Sequence, residues 1–166
     1  MDGKRPIVDI EAMTPEQYAG YCDECDARSS AEFRMRRELC GIEIAELADD
    51  LGVRLDTAKR WENPKKGMPP SVRAWAYIDS AYIALLDAIE AAIQQVEETA
   101  ETLGEPREVH VAYRRGNQPT RDGLTVGRSN AIARASALAL TVLGYDASAE
   151  WADEGAAGLA ANAPMR

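Results

Sequence analysis

Metal ligands, long apolar runs and catalytic motifs are all scarce in this chain. Its 166 residues include three cysteines and one histidine. Three cysteines in a chain of this length cannot build a disulfide framework, so a reducing cytoplasm is the expected compartment. No apolar run approaches the roughly 18 residues that a membrane span needs. The opening stretch, MDGKRPIVDIEAM, lacks the apolar core of a secretory signal. Neither a signal nor a membrane partner is expected. There is no Gly-rich phosphate loop, no Ser/His/Asp set and no carboxylate pair at catalytic spacing, so no enzyme is expected. Cys22 and Cys25 form one CxxC, half of a zinc ribbon, but no second CxxC follows, and Cys40 and His110 fall in other elements. The pair reads as incidental on an acidic helix, His110 reads as a surface residue on the polar side of a strand, and no metal or cofactor is expected.

What is present fits a globular chain: 46% hydrophobic and 28% charged residues, enough for one compact domain or two small ones. The net charge of −9 at first argues against nucleic acid. Its distribution reverses that inference. Residues 1–28 hold 3 Lys/Arg against 7 Asp/Glu, residues 29–73 hold 9 against 8, residues 74–104 hold none against 6, and residues 105–166 hold 7 of each. Within the second block, Arg54, Lys59, Arg60, Lys65, Lys66 and Arg73 face only Asp56 and Glu62. A local cationic strip on an acidic body is what one DNA-facing side would produce, because local charge decides phosphate attraction.

The fold class expected is mainly α with a small α+β C-terminal part. Residues 1–28 form an acidic N-terminal extension, with a short helix that Thr14 can cap and Pro15 can start. Residues 29–79 form a set of short helices, separated by Gly41, Gly52 and Asn63-Pro64. A long helix runs on to Gly104, assigned as its own segment over 80–104. In it Tyr82, Leu85, Ile89, Ala92, Val96, Ala100 and Leu103 recur at heptad-like spacing. That seam fits packing within its own domain and a dimer seam equally. Residues 105–154 read as strand–helix–strand: Val109, Val111 and Tyr113 alternate, Thr125 caps an Ala-rich helix to Leu143, and Tyr145, Ala147, Ala149 and Trp151 alternate again. The connection is long enough for parallel pairing within the chain or for pairing across a dimer. Residues 155–166 read as an Ala/Gly-rich flexible tail.

The segment from Phe33 to Met68 carries the functional information. Two short helices flank Gly52, Ala48 lets them cross closely, and Val53 plugs their angle; Leu47, Leu51, Ala58 and Trp61 are the inward positions. The outward positions are Arg54, Leu55, Asp56, Lys59 and Arg60, able to reach bases or phosphates. The run Glu46-Leu47-Ala48, Leu51-Gly52-Val53, Thr57, Arg60-Trp61-Glu62-Asn63 and then Pro69 resembles the Cro/phage-repressor (XRE-type) helix-turn-helix family. Ile44 stands where that family often has Gln, and Arg54 where it often has Ser. Further on, VHVAYRRG followed by RSNAIARASALALTVLG looks like the dimerisation region of anti-CRISPR-associated autorepressors and related bacterial regulators. That resemblance implies a homodimer on an inverted repeat of double-stranded DNA.

The expectation is therefore a dimeric, sequence-specific DNA-binding regulator, a repressor of its own or a neighbouring operon. Arg54, Asp56 and Lys59 would lie toward base edges, with Thr57, Arg60, Lys65 and Lys66 toward phosphates and Leu55 an outward position of the same DNA-binding set. Tyr113-Arg114-Arg115 reads as a second phosphate contact, a solvated strand end or a dimer salt bridge. Trp61, Trp75 and Tyr77 read as packing residues. The alternative is an antitoxin-like protein whose C-terminal half binds a partner protein.

Overall fold

The described residues of the computed structural model, 8–116, 123–152 and 159–161, form six α-helices and one small sheet. Helix α1 spans Pro15–Ala27, and its start obeys local chemistry closely. The Thr14 side chain accepts from the Gln17 amide while the Gln17 side chain accepts from the Thr14 amide, with Pro15 in the first turn. Helix α2 (Ser30–Leu39) is capped by Ser29, α3 spans Ile44–Leu51, and α4 spans Leu55–Trp61. A 3-10 turn follows at Pro64–Lys66, where Asn63-Pro64 forbids further α-helix. Helix α5 then runs from Val72 to Leu103.

Strand β1 (Val109–Tyr113) is followed by α6 (Val126–Val142), with Thr125 as N-cap, and by β2 (Ala147–Trp151). The two strands pair in parallel within the chain, Val109 opposite Ala147 and Tyr113 opposite Trp151. This settles the connection as an intramolecular crossover. A third strand, β3 (Leu159–Ala161), pairs antiparallel with β1, so the sheet order is β2-β1-β3. The tail expected over 155–166 is thus partly a strand, its other residues lying outside the described ones. Its alanines have weak strand propensity, and the pairing is imposed by the open edge of β1.

The chain divides into two compact units, residues 1–84 and 85–166, and the division falls inside α5. In the first unit, Phe33 is edge-on to Trp61 at 6.2 Å and to Trp75 at 5.0 Å between ring centroids. Ile42, Leu47, Ala48, Ala58 and Ile78 are buried with them. Residues 15–27, assigned to an extension, belong to this packing, since Tyr21 and Cys25 on α1 are buried. In the second unit Val96, Val109 and Leu140 form the core, joined by Ile93, Tyr145 and Ala147. Leu85 and Val96 from the heptad-like spacing are therefore packing residues, while Leu103 at its end is exposed. No described helix is long and apolar enough to cross a membrane.

Asp79 departs from expectation. Its place in residues 74–104, where six Asp/Glu face no Lys/Arg, suggests an outward acidic face, yet it is 5% exposed. One carboxylate oxygen accepts from the Tyr21 hydroxyl and from Arg28 Nη1, both at 2.7 Å; the other accepts from Arg36 Nη1 at 2.7 Å. Trp75, Asp79 and Tyr82 share one face of α5 at helical spacing. The Arg28 guanidinium lies 5.0 Å above the Trp75 ring, and that of Arg36 lies 4.9 Å above Tyr82. The acidic residue is the hub that joins α1, α2 and α5.

Candidate nucleic-acid interface

Helices α3 and α4 are joined at Gly52, whose backbone is left-handed with φ of 65°. The Gly52 amide donates to the Asp49 carbonyl at 3.1 Å, and the Val53 amide to the Ala48 carbonyl at 2.9 Å. Side chains rarely adopt that conformation, so glycine there sets the tight turn. Leu47, Ala48 and Leu51 on α3 and Ala58 and Trp61 on α4 are all buried, as their spacing predicts. Val53 is half-buried.

Burial of Ala58 and Trp61 fixes what α4 turns outward. Leu55, Asp56, Lys59 and Arg60 are exposed, Arg54 is exposed at the N-cap position, and Thr57 is half-buried. Lys65 and Lys66 are exposed on the 3-10 turn, which is held by the Asn63 side chain accepting from the Lys65 amide at 3.0 Å. All eight sequence-predicted residues thus lie on one short stretch of chain, α4 and the turn after it.

The end of α4 is anchored by a pair that sequence reasoning missed. Arg37 on α2 donates from Nε to Glu62 Oε1 at 2.5 Å and from Nη2 to Oε2 at 3.1 Å; Nη1 donates to the Ile42 carbonyl at 2.6 Å. Both side chains are about nine-tenths buried. A bidentate, buried pair positions as well as stabilises. It was not legible because 25 residues separate the partners and no local spacing rule connects them.

The described cations of the first unit fall into two groups. Arg28, Arg34, Arg36 and Arg37 are neutralised by Asp79, Glu38, Glu32 and Glu62. Arg54, Lys59, Arg60, Lys65, Lys66 and, at the start of α5, Arg73 form no ion pair among the described residues. Their field is left to solvent and to whatever anion approaches. Helix α3 adds no cation; its exposed Asp50 accepts a hydrogen bond from Tyr77.

Cys22 and Cys25 both lie on α1, and Cys25 is buried. Among the described residues no three His, Cys, Asp or Glu side chains gather where they could hold a metal ion. Burial pushes the Cys25 thiol up to about 11, partly offset by a hydrogen bond to Tyr21. Burial, with the Asp79 carboxylate beside it, likewise keeps Tyr21 protonated. Since the thiolate is the reacting species, iodoacetamide at about pH 8 should spare Cys25 in the folded protein and label it in urea. Mass spectrometry of the alkylated peptides reads this directly. Equal labelling rates in the two states would show that α1 does not pack.

In the second unit His110 corrects its surface assignment. It is 8% exposed, with Nδ1 at 2.7 Å from Ser148 Oγ and 3.3 Å from Glu150 Oε1, and Nε2 at 3.5 Å from Glu108 Oε2. Alternation put it on a polar face; the parallel register, which sets His110 opposite Ser148, covers that face. The Arg115 guanidinium sits 5.3 Å from the Trp151 ring centroid. Tyr113 is edge-on to the same ring at 5.8 Å and accepts a hydrogen bond from Arg134. Compared with known proteins, the chain matches no family model, no curated protein and no solved structure.

Proposed function

We propose that the protein is a dimeric, sequence-specific DNA-binding regulator that uses α3 and α4 as a helix-turn-helix. The observation that carries this reading is the set of exposed, unneutralised cations on α4 and the turn after it. A DNA duplex is a dense line of phosphate charge, and releasing its counterions favours such a surface. The buried anchors of α4, Trp61 beneath and Glu62 at its end, support a rigid presentation of those side chains. Arg54, Asp56 and Lys59 are assigned to base edges, with Leu55 available for apolar contact with a thymine methyl; Thr57, Arg60, Lys65 and Lys66 are assigned to phosphates. Repression is the expected sign of regulation.

Pairing of two copies is part of the proposal, because half-sites about one helical turn apart give a two-fold protein its specificity. Edge strand β2 and the exposed apolar side chains of α6, Leu138 at 67% and Val142 at 79%, support an interface in the second unit. The same side chains favour the second reading, an antitoxin-like protein that holds a partner there. Sedimentation of the purified chain alone, and of the chain recovered with bound protein, separates these two.

Selection of random duplexes on the purified protein, followed by sequencing, supplies the cognate site. On that site Arg54→Ala or Lys59→Ala should cost roughly 1–3 kcal/mol and relax preference at one position. Lys65→Ala or Lys66→Ala should weaken every duplex alike and reduce the salt slope by about 1. Equal losses on cognate and random DNA for the Arg54 and Lys59 variants would remove the base-reading role.

A further inference from the structure

The second unit contains a cleft of about 350 Å³ between α5 and α6, reaching β1. Towards one end the space between these elements is filled by Val96, Val109 and Leu140. At the cleft the facing residues shrink to Ala88 and Ala92 on α5 and Ala133 on α6, with Ile132 beside them. Small side chains alone leave only a gap.

Two further features give this gap the chemistry of a site. Ser136, in the cleft wall, is 3% exposed, and its hydroxyl has no hydrogen-bond partner among the described residues. Hydroxyls on the chain's helices ordinarily bond the carbonyl four residues back, as Ser80, Thr99, Thr102 and Thr141 all do. Ser136 does not, and a buried unpaired hydroxyl is costly unless something answers it. The second feature is Arg114, also in the wall. Its backbone is clamped by Asn130, which accepts from its amide and donates to its carbonyl, both at 2.8 Å. Its guanidinium forms no ion pair among the described residues, whereas neighbouring Arg115 is committed to Trp151.

We infer that this cleft binds a small organic acid. The carboxylate meets Arg114, whose planar fork matches it. The apolar body lies against Ala92, Ile132 and Ala133, and a hydroxyl on that body pairs with Ser136. The volume falls within the range of small-ligand sites. One cation with mainly apolar walls suits a monoanion better than a phosphate, which would call for several cations. The inference stands on the second unit alone and does not require α4 to read DNA.

Calorimetric titration of the full chain with phenylacetate, 4-hydroxyphenylacetate, hexanoate and 6-hydroxyhexanoate, and with the matching amides, tests it. At least one acid should bind saturably, one per chain, about tenfold or more tighter than its amide, as a charge-assisted hydrogen bond implies. Arg114→Gln should erase that ratio. Ala133→Leu, or Ala92→Leu should the first misfold by circular dichroism, should fill the cleft and abolish binding. Ser136→Ala should raise the melting temperature of the free protein and also remove the preference for the hydroxylated acid; a serine with a structural role only would move the first quantity and not the second. The inference is overturned if no acid binds, if the leucine variants bind as wild type, or if the acid-to-amide ratio survives Arg114→Gln. It is equally overturned if no acid binds and Ala133→Leu converts a dimer to monomers, since the cleft would then receive a second copy of the chain.

Discussion

Replacing Asp79 with alanine should destabilise the first unit by about 3–5 kcal/mol, because it removes one side of a buried charge cluster and strands the other. Asp79 accepts from Tyr21, Arg28 and Arg36 at once. Without it two guanidinium groups remain held over Trp75 and Tyr82 with only the more exposed Glu24 and Glu32 as counter-charges. Their side chains are about a fifth exposed, so water reaches them and the loss should fall toward the lower end of that range. Even so it is a large share of the 5–15 kcal/mol that holds a typical domain together. Asp79→Asn should lose less, since the amide oxygen still accepts, although the charge is gone. Urea unfolding followed by tryptophan fluorescence reads both variants. An unchanged midpoint for Asp79→Ala would mean that the three donors are solvated and the cluster adds nothing net.

Trp61→Ala should cost about 3–5 kcal/mol for the large side chain removed and the cavity left behind. The ring is buried and edge-on to Phe33, and it immediately precedes Glu62, which Arg37 holds. On the proposed DNA-binding reading, loss of DNA binding in this variant would come from unfolding. Lys59→Ala, one turn away on the exposed face of α4, should reduce cognate affinity without moving the melting temperature. The two variants therefore separate support of α4 from contact by α4. A Trp61→Ala protein that melts with wild type would place Trp61 on the surface and invert the inward and outward positions of that helix.

Helix positions and their inward faces were legible in the sequence because they are set by neighbours a few residues apart. Thr14-Pro15, Ser29, Gly52, Asn63-Pro64 and Thr125 mark helix ends by hydrogen bonding and backbone geometry that hardly depend on the rest of the chain. Leu47, Leu51, Ala58 and Trp61 are buried because helical periodicity leaves them no other face. For the same reason the residues expected to be outward on α4 are outward. The cationic strip is visible in composition because its members lie close together in the chain.

Only the tertiary structure decided which charges are free. Arg36 and Arg37 look as available as Arg54 and Arg60 in the sequence, yet Asp79 and Glu62 neutralise them from 43 and 25 residues away. Asp79 looked like one more charge on a solvated acidic helix and is instead the buried hub of the first unit. The same limit hid the environment of His110 and the strand at Leu159–Ala161, both products of strand pairing across long connections. Sequence by itself determined the short-range elements, because propensity, capping and periodicity act within a turn or two. Ion pairing, strand register and the empty space between α5 and α6 arise from residues brought together only by folding, and pairing over such distances leaves no local pattern to read.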